Sequence, residues 1–431
     1  MNYQDTIQYL HVCSRLGSRP GLDSIREILF RLDNPEKSLR FIHIAGTNGK
    51  GSIGCYITEM LGAAGYCVGF YTSPAVYSPC EIMRINSREI SKADFAKTIT
   101  TVRQVAESMV EEGLYPPTEF EILTATAYLY FAQRKCDLVV VECGMGGRLD
   151  ATNVMENVEV SVLTRIDYDH MAFLGSTLSA ITKEKCGILH QACPVVVYPC
   201  QEEEVYLTIV EEANKRGCRI YIPDLHALTE EGNDAEGLVF SYGPYSNLTL
   251  PMRGRHQIYN AITAVEVMHV LQKSAFSISA QAIREGLHQS RWLGRFEVLS
   301  QNPPVILDGA HNSNGVSAFI ATIKQCFPGT SFIGVLGMLR DKDYGTCIQM
   351  LSEICDTLII TEVYNSRTAN ITELRQAAGH LPISLLTVPN PEQAVYEAFI
   401  CRNSSQGIVC VGSLYNLPIY KAKCQQLLEN M

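Results

Sequence analysis

The sequence lacks the patterns that mark several classes of protein. Its opening residues, MNYQDTIQYLHVC, contain neither a basic segment nor an apolar core, which predicts no signal peptide and a cytoplasmic location. No apolar run approaches the roughly 20 residues of a membrane span. The 16 cysteines include no CxxC pair with zinc-site spacing, so we expect most of them to be buried, reduced thiols.

The overall charge excludes two further kinds of partner. The formal net charge is -10, and this negative field disfavours both nucleic acid and anionic membranes, because each requires a basic face. We therefore expect small-molecule partners and a monomer. An acidic substrate would need cations placed locally at its site.

What the sequence does contain is a series of apolar runs separated by helical patterns. Strand–helix alternation of this kind indicates an α/β fold with a doubly wound, mostly parallel sheet. The predicted strands are Arg40–Ala45, Leu138–Glu142, Val158–Thr164, Pro194–Tyr198, Arg219–Ile222, Val305–Asp308, Phe332–Leu336, Thr357–Thr361 and Gly407–Val411. A new series begins after SRWLGRFE, which predicts two domains, residues 1–294 and a smaller 295–431, with ligands in the cleft at the strand ends.

The stretch FIHIAGTNGKGS, residues 41–52, has the composition of a phosphate-binding loop. Its glycines allow backbone amides to point at an anion, Lys50 adds a charge, and Ser52 offers a hydroxyl for magnesium. The strict pattern GxxxxGK[ST] fails, because Ile44 and Gly51 occupy two of its fixed positions. An ordinary glycine-rich turn is the alternative. The flanking strand and helix favour phosphate binding, but the motif names no reaction.

Three further side chains follow predicted strands or lie nearby. Glu142 ends a buried strand before the glycines of GMGGRLDATN, a position that suits Mg²⁺. His170 follows another strand and is either a ligand or a structural residue. Lys185 belongs to the run Lys183–Lys185, which alone reads as a solvated charged face. A cation beside magnesium would be repelled unless its amine carried a carboxyl group.

Ten motifs in order resemble those of one enzyme family. They are HIAGTNGKGS, EFEILTATAYLYFA, VVVECGMGGRLDATNV, DHMAFLGSTL, EKCGI, GRHQIYNA, GRFE, ILDGAHNSNG, RDKDY and VGSLY. Together they cover nearly the whole chain and resemble the bacterial folylpolyglutamate synthase/dihydrofolate synthase family of the Mur ligase superfamily. The resemblance implies a P-loop ATPase-like N-terminal domain that binds ATP and folate, and a Rossmann-like C-terminal glutamate-ligase domain.

The resemblance also implies a reaction. ATP phosphorylates the carboxyl group of a folate, or of dihydropteroate, and the amine of L-glutamate displaces phosphate from the acyl phosphate. Phosphate is needed because oxide is too poor a leaving group, and two Mg²⁺ ions neutralise charge during the transfer. Closure of the C-terminal domain is expected to exclude water. The implied role is one in folate biosynthesis and one-carbon metabolism.

Individual site residues are implied by matching motif positions. ATP binding falls to Gly46, Thr47, Asn48, Gly49, Lys50, Gly51, Ser52, Asn260, Arg295 and Asp308. The metal-binding positions are Ser52, Ser73, Glu142, His170 and Lys185, the last matching a lysine that is carbamylated on Nζ. Substrate binding falls to Thr118, Glu119, Phe120, Glu121, Leu149, Asp150, Ala151 and Ser413. The catalytic positions are Lys50, Lys185, His170 and His311, of which His311 is expected near the glutamate. For residues 118–121 and 149–151, a helix start and a turn are nearly as good an explanation.

The chain departs from the family pattern in two places. In TSPAVYSPCEIMRIN, Ala75 and Ile82 replace a histidine and an arginine, which puts folate affinity or metal geometry there in doubt, although Arg84 remains. In GILHQACPVV, residues 190–192 replace a Lys-Pro-Gly turn. Two alternatives to a folate ligase stay open: a related amide ligase with a different carboxylate acceptor, and a nucleotide-binding regulator or motor-like ATPase.

Overall fold

The computed structural model describes residues 1–17, 19, 21–233 and 237–430. The chain divides into two compact units. Unit 1 comprises Met1–Pro251 and Ile258–Ser290, and unit 2 comprises Met252–Gln257 and Arg291–Met431. The division after Ser290 lies close to the expected boundary after Gly294, although the short segment Met252–Gln257 also belongs to unit 2.

The secondary structure alternates between strands and helices along most of the chain. The strands are β1 Phe41–Ala45, β2 Val68–Tyr71, β3 Met83–Ile85, β4 Arg88–Glu89, β5 Leu138–Glu142, β6 Val158–Leu163, β7 Val195–Val197, β8 Ile220–Tyr221, β9 Leu228–Asn233, β10 Leu238–Tyr242, β11 Tyr245–Leu250, β12 Glu297–Gln301, β13 Pro304–Leu307, β14 Phe332–Leu336, β15 Cys355–Ile360, β16 Ser384–Thr387 and β17 Gly407–Val411. The α-helices are α1 Tyr3–Ser14, α2 Asp23–Arg31, α3 Lys50–Ala63, α4 Lys92–Glu111, α5 Glu119–Gln133, α6 Met171–Leu174, α7 Leu178–Lys185, α8 Glu203–Lys215, α9 Arg255–Lys273, α10 Ala280–Gln289, α11 Ser313–Cys326, α12 Tyr344–Leu351, α13 Ile371–Ala378, α14 Pro391–Cys401 and α15 Leu417–Glu429.

Unit 1 is built on an eight-stranded sheet of order β4-β3-β2-β5-β1-β6-β7-β8. Six neighbouring strands of this sheet run parallel, namely β2, β5, β1, β6, β7 and β8. Strands β3 and β4 form an antiparallel edge beside β2. The three central strands are apolar over most of their length and bury nearly every residue, as strands covered on both faces require. Because they are parallel, their carboxyl ends, where Glu142 and the glycine-rich loop lie, meet at one edge of the sheet.

Unit 1 also contains a small sheet that the apolar runs do not indicate. Strands β9, β10 and β11 form an antiparallel sheet of order β11-β10-β9. Strand β10 alternates buried and half-buried residues, β11 mixes buried and exposed ones, and β9 (LTEEGN) has no buried residue among those whose side chains are described. A search for continuous apolar runs therefore misses them.

Unit 2 is built on a six-stranded sheet of order β12-β13-β17-β14-β15-β16. All of its pairs are parallel except β12 with β13. Its core packs apolar residues of the strands against α11, α12 and α13. The expected α/β class, with mostly parallel sheets in both parts, is confirmed.

Two expectations about composition are also tested. All 16 cysteines are free and most are buried, which confirms that they act mainly as small apolar side chains. Among the described residues, no helix is long and apolar enough to cross a bilayer.

Candidate active site

The glycine-rich loop connects β1 to α3 at the carboxyl edge of the large sheet. Helix α3 begins at Lys50, so the amides of its first turn have no partner within the helix and point toward the loop. Gly49 precedes the helix with φ of 91°, a left-handed conformation that glycine adopts without strain. The loop therefore lies at the positive end of a helix, which is the geometry of an anion site.

Neighbouring segments fix the shape of this loop. The backbone amides of Thr47 and Asn48 both donate to the Arg165 carbonyl oxygen, at 2.8 and 3.2 Å. Thr164 Oγ1 donates to the Asn48 carbonyl oxygen at 2.8 Å. A Cβ added at Gly46 would overlap the Thr164 side chain, and one added at Gly49 would lie 2.7 Å from Asn260 Oδ1. The close approach of these neighbours is what requires glycine at both positions.

Lys50 folds over the loop toward Glu142. Its Nζ donates to the carbonyl oxygens of Gly46 and Thr47, each at 3.2 Å, and lies 3.8 Å from Glu142 Oε1. The other carboxylate oxygen of Glu142 accepts a hydrogen bond from Thr72 Oγ1. Glu142 and Ser52 are both buried, so this carboxylate and this hydroxyl are largely shielded from water.

Lys185 reaches the same loop from the end of α7. Its side chain is buried, and Nζ donates to the Gly46 carbonyl oxygen at 2.8 Å. Burial, with a further contribution from the positive charge of Lys50, lowers the pKa of Lys185 to about 7. Lys183 is exposed, and Glu184 pairs with Arg148. The charged run is thus a solvated face except at Lys185.

The remaining expected metal residues lie at the ends of other strands. Ser73 follows β2 and is half-buried, and His170 precedes α6 with φ of 49° and lies 4.0 Å from Asp169 Oδ1 through its Nε2. Over the described ranges, no three His, Cys, Asp or Glu side chains converge as metal ligands. A single carboxylate with a hydroxyl suits Mg²⁺, which keeps several waters and takes other ligands from phosphate.

Residues 118–121 form the start of α5. Thr118 is its N-cap, and Glu121 accepts hydrogen bonds from the Thr118 amide and hydroxyl, both at 2.8 Å, in a capping box. Phe120 stacks on Tyr71 with ring centroids 6.1 Å apart and also lies against Gly144. Burial raises the pKa of the neighbouring Glu119. The Glu121 carboxylate thus serves to cap helix α5, whereas Phe120 lies by the ends of β2 and β5.

Residues 149–151 follow the glycines of the loop after β5. Leu149 is exposed, and Ala151 is buried. Asp150 is buried and accepts hydrogen bonds from the Met145 amide at 2.8 Å and the Thr152 amide at 3.0 Å. Its carboxylate is therefore used to shape the loop.

The two residues after β2 that differ from the family pattern, Ala75 and Ile82, both have apolar surroundings. Ile82 is buried in the core, and Ala75 is half-buried against it, so apolar side chains fit both positions. Glu81 accepts hydrogen bonds from the amides of Val76, Tyr77 and Ser78 and thereby holds the loop before β3. No functional account of residues 190–192 follows from their contacts.

Unit 2 carries a second cluster at the ends of β13 and β17. Asp308 is buried and accepts hydrogen bonds from the amides of Phe296 and Ala310, both at 2.7 Å. Burial raises the pKa of its carboxyl group, and the positive charge of Arg295 opposes that effect. A Cβ at Gly309 would lie 3.1 Å from Arg295 Nη1, which places the guanidinium beside this turn.

His311 and Ser413 lie at the same strand ends. His311 Nδ1 donates to the Gly309 carbonyl oxygen at 2.8 Å. The Gly412 amide donates to the Ala310 carbonyl oxygen, which joins the segment that carries Ser413 to the turn that carries His311. Ser413 is buried and accepts from the Tyr415 amide at 3.2 Å.

The sequence did not single out several residues that organise the site. Thr72, Thr164 and Arg165 act through contacts between strands that are distant in the chain, and no local pattern marks them. His43 and Thr152 are buried and contact each other at 3.0 Å. A lone polar residue in the apolar run FIHIA was the available signal for His43.

Comparison with known families agrees with this geometry. Residues 44–268 match the model described as the Mur ligase middle domain, and residues 294–414 match the one described as the Mur ligase, glutamate ligase domain. The first match contains the phosphate loop, Glu142, Lys185 and Asn260, and the second contains Asp308. The protein is therefore an ATP-dependent ligase of the Mur type.

Relatives along the full length narrow this class. The chain is 34% identical to the dihydrofolate synthase/folylpolyglutamate synthase of Bacillus subtilis over 96% of this chain and 97% of that protein. It is 32% identical to the folylpolyglutamate synthase of Lacticaseibacillus casei, with the same coverage. The structure of Mycobacterium tuberculosis folylpolyglutamate synthase complexed with ADP and AMPPCP superposes with a TM-score of 0.89, 29% identity and 99% coverage of both chains. The chain belongs to the folylpolyglutamate synthase/dihydrofolate synthase family.

Proposed function

We propose that this protein joins L-glutamate to the terminal carboxyl group of tetrahydrofolate, with ATP converted to ADP and phosphate. The observation that carries the proposal is the group formed by the half-buried Lys50 and the buried Glu142 and Lys185 around the loop of residues 46–49. This group of residues provides a site for phosphate. The relatives of the chain are named as enzymes that ligate glutamate to folates.

The loop residues act on the nucleotide. The amides at the start of α3 bind phosphate oxygens, and Lys50 moves from its loop carbonyls to the β- and γ-phosphates when ATP arrives. Asn260, beside Gly49, contacts the nucleotide from α9. The folate carboxylate oxygen attacks the γ-phosphorus and ADP leaves, which produces an acyl phosphate.

Magnesium fits the donors of this site. Ser52 and Glu142 would hold one ion, with Ser73 on the same side, and His170 with Lys185 would serve a second. When bound, Mg²⁺ neutralises charge on the phosphates during transfer. Thr72 orients Glu142 through its hydrogen bond to the carboxylate.

Lys185 becomes a ligand only if its charge is reversed. A pKa near 7 leaves much of the amine neutral, and the neutral amine attacks the carbon of CO₂ and releases a proton to form a carbamate. The carbamate nitrogen keeps one hydrogen for the Gly46 carbonyl oxygen. Its carboxylate would replace repulsion from Lys50 by attraction.

The second half of the reaction falls to residues of unit 2. The glutamate amine attacks the acyl carbon, and the tetrahedral intermediate expels phosphate to leave the amide. Arg295 and Asp308 serve the nucleotide in this proposal. His311 and Ser413 serve the incoming glutamate, because both lie at the strand ends that the Asp308 turn organises.

On the folate side, Phe120 supplies a ring surface for the pterin beside Tyr71 and Gly144. Thr118, Glu119, Leu149 and Ala151 are the further residues proposed to contact the folate. Glu121 and Asp150 contribute by shaping the helix start and the loop.

Dihydropteroate is a second candidate acceptor. The observation that favours it is the match along nearly the full length to a Bacillus subtilis protein named for both activities. Both acceptors present a carboxylate on a benzoyl or glutamyl end behind the same pterin, so one phosphate site can serve both.

The test measures phosphate release and product mass with ATP, Mg²⁺ and L-glutamate, and compares tetrahydrofolate with dihydropteroate. We expect a mass gain of one glutamyl residue on tetrahydrofolate, abolished in Lys50→Ala. A gain on both acceptors would establish two activities. ATP hydrolysis without a mass gain on either would overturn the proposal and assign a different acceptor.

A further inference from the structure

A buried imidazole lies under the carboxyl edge of the large sheet, outside the residues that contact phosphate. His43 is on the central strand β1, and its ring is fully buried. Its Nε2 lies 3.0 Å from Thr152 Oγ1 and 3.0 Å from Cys143 Sγ. Cys143 and Thr152 are the two ends of one loop, so a single ring joins both ends.

The tautomer follows from counting donors and acceptors. Asp150 as a carboxylate can only accept, and it accepts a hydrogen bond from the Thr152 hydroxyl. Thr152 Oγ1 then has only lone pairs left for His43, so His43 Nε2 carries the hydrogen. Nδ1 of His43 has no partner among the described residues, and an unpaired acceptor costs less than an unpaired donor.

The charge state agrees with this assignment. Burial, with a smaller effect from nearby His190, lowers the pKa of His43 to about 3. The ring is therefore neutral at physiological pH. Burial also raises the pKa of Cys143, which keeps its thiol protonated.

We infer that His43, as its Nε2–H tautomer, is a positioning residue that holds the loop from Cys143 to Thr152 in its active shape. Glu142 immediately precedes this loop, and Asp150 and Ala151 lie within it. A series of hydrogen bonds runs from His43 through Thr152 to Asp150. It ends at the Met145 amide, which donates to the Asp150 carboxylate at 2.8 Å. One ring thus sets the metal-side acid and the folate-side loop relative to the phosphate loop that follows β1. This role rests on the proposed folate ligation.

The kinetic test uses His43→Leu, His43→Gln and Thr152→Val, with Thr126→Val as the control. The Gln amide nitrogen can take the place of Nε2–H, whereas Leu offers no donor. Thr126 is an equally buried threonine in α5 whose hydroxyl donates within its own helix, to the Ile122 carbonyl oxygen. We expect His43→Leu and Thr152→Val each to lower kcat/KM for tetrahydrofolate by about 10- to 100-fold.

The same variants should leave KM for ATP within about threefold, because the phosphate loop keeps its own anchors at Thr164 and Arg165. His43→Gln should recover most of the loss, and the double variant His43→Leu/Thr152→Val should be no worse than either single one. The inference is overturned if Gln is as poor as Leu, if KM for ATP rises in parallel, or if Thr152→Val behaves like the control.

Two readouts do not depend on activity. Nitrogen-15 NMR of histidine-labelled protein should show the signal of a neutral, Nε2-protonated ring that is absent from the spectrum of His43→Gln. Hydrogen exchange of residues 143–152 should accelerate in Thr152→Val but not in Thr126→Val. A wild-type enzyme that ligates nothing to a folate would refute the proposed function alone. An Nδ1–H ring or unchanged exchange would refute the role of His43.

Discussion

At the scale of single residues, Lys185 shows how burial changes chemistry. Three charged residues in a row ordinarily lie on a solvated face, and Lys183 and Glu184 do so. Lys185 instead turns inward to the Gly46 carbonyl oxygen, where desolvation favours its neutral form. The same amino acid is therefore a surface charge at 183 and a buried amine with a lowered pKa at 185.

The role proposed for Lys185 predicts a rescue experiment. Lys185→Ala should lose most of its turnover, at least about 10- to 100-fold, because an anionic ligand of the metal is removed. Short carboxylic acids added to the assay should partly restore product formation by supplying that anion. Lys183→Ala, an exposed change in the same helix, is the control and should keep wild-type rates. Full activity of Lys185→Ala would rule out the carbamate.

At the scale of elements, the phosphate loop is defined by what surrounds it. Thr164 and Arg165 follow β6 and bind the backbone of Thr47 and Asn48. Helix α3 begins directly after Gly49, so its positive end lies at this loop. The loop is one continuous segment after β1, but its shape depends on residues that follow the neighbouring parallel strand β6.

A glycine substitution tests that arrangement. Gly46→Ala should destabilise the protein by about 1–3 kcal/mol and weaken ATP binding, because the added methyl group overlaps Thr164. Gly62→Ala in α3 is the matched control, since the nearest atom to its Cβ, Asn86 Cγ, is 4.0 Å away. This second change should be neutral or stabilising by up to about 1 kcal/mol. Chemical denaturation of both variants checks the difference, and equal stabilities would contradict the packing argument.

At the scale of the whole molecule, each unit has its own sheet and its own apolar core. Unit 1 holds the phosphate loop, and unit 2 holds the Asp308 turn. A ligand that binds only folded protein stabilises it in proportion to the logarithm of its concentration. Nucleotide binding should therefore be visible in thermal unfolding without any acceptor present.

We expect AMPPCP with Mg²⁺, at about 100 times its Kd, to stabilise the wild-type protein by about 2.7 kcal/mol and to raise its Tm. The same addition should shift Lys50→Ala much less, because the charge that faces the phosphates is gone. Differential scanning calorimetry measures both shifts. An equal shift in the variant would mean that the nucleotide binds elsewhere.

The sequence by itself determined the class of fold and most of the apolar parallel strands. Leu138–Glu142, Phe332–Leu336 and Gly407–Val411 are predicted at the bounds the structure gives, because strands buried on both faces are apolar throughout. It missed β9, β10 and β11, which are polar or only partly apolar, and it also missed β2, β3, β4, β12 and β16. Ordered motifs likewise indicated the ligase family, which full-length relatives confirm.

Only the tertiary structure decided which of the candidate side chains share a site. It brings Lys185 to Gly46 and Asn260 to Gly49, and it commits Glu121 and Asp150 to shaping backbone. The reason is physical: burial, pKa and hydrogen-bond partners depend on contacts between segments far apart in the chain. Local sequence specifies which elements form, and packing specifies what each buried polar group can do.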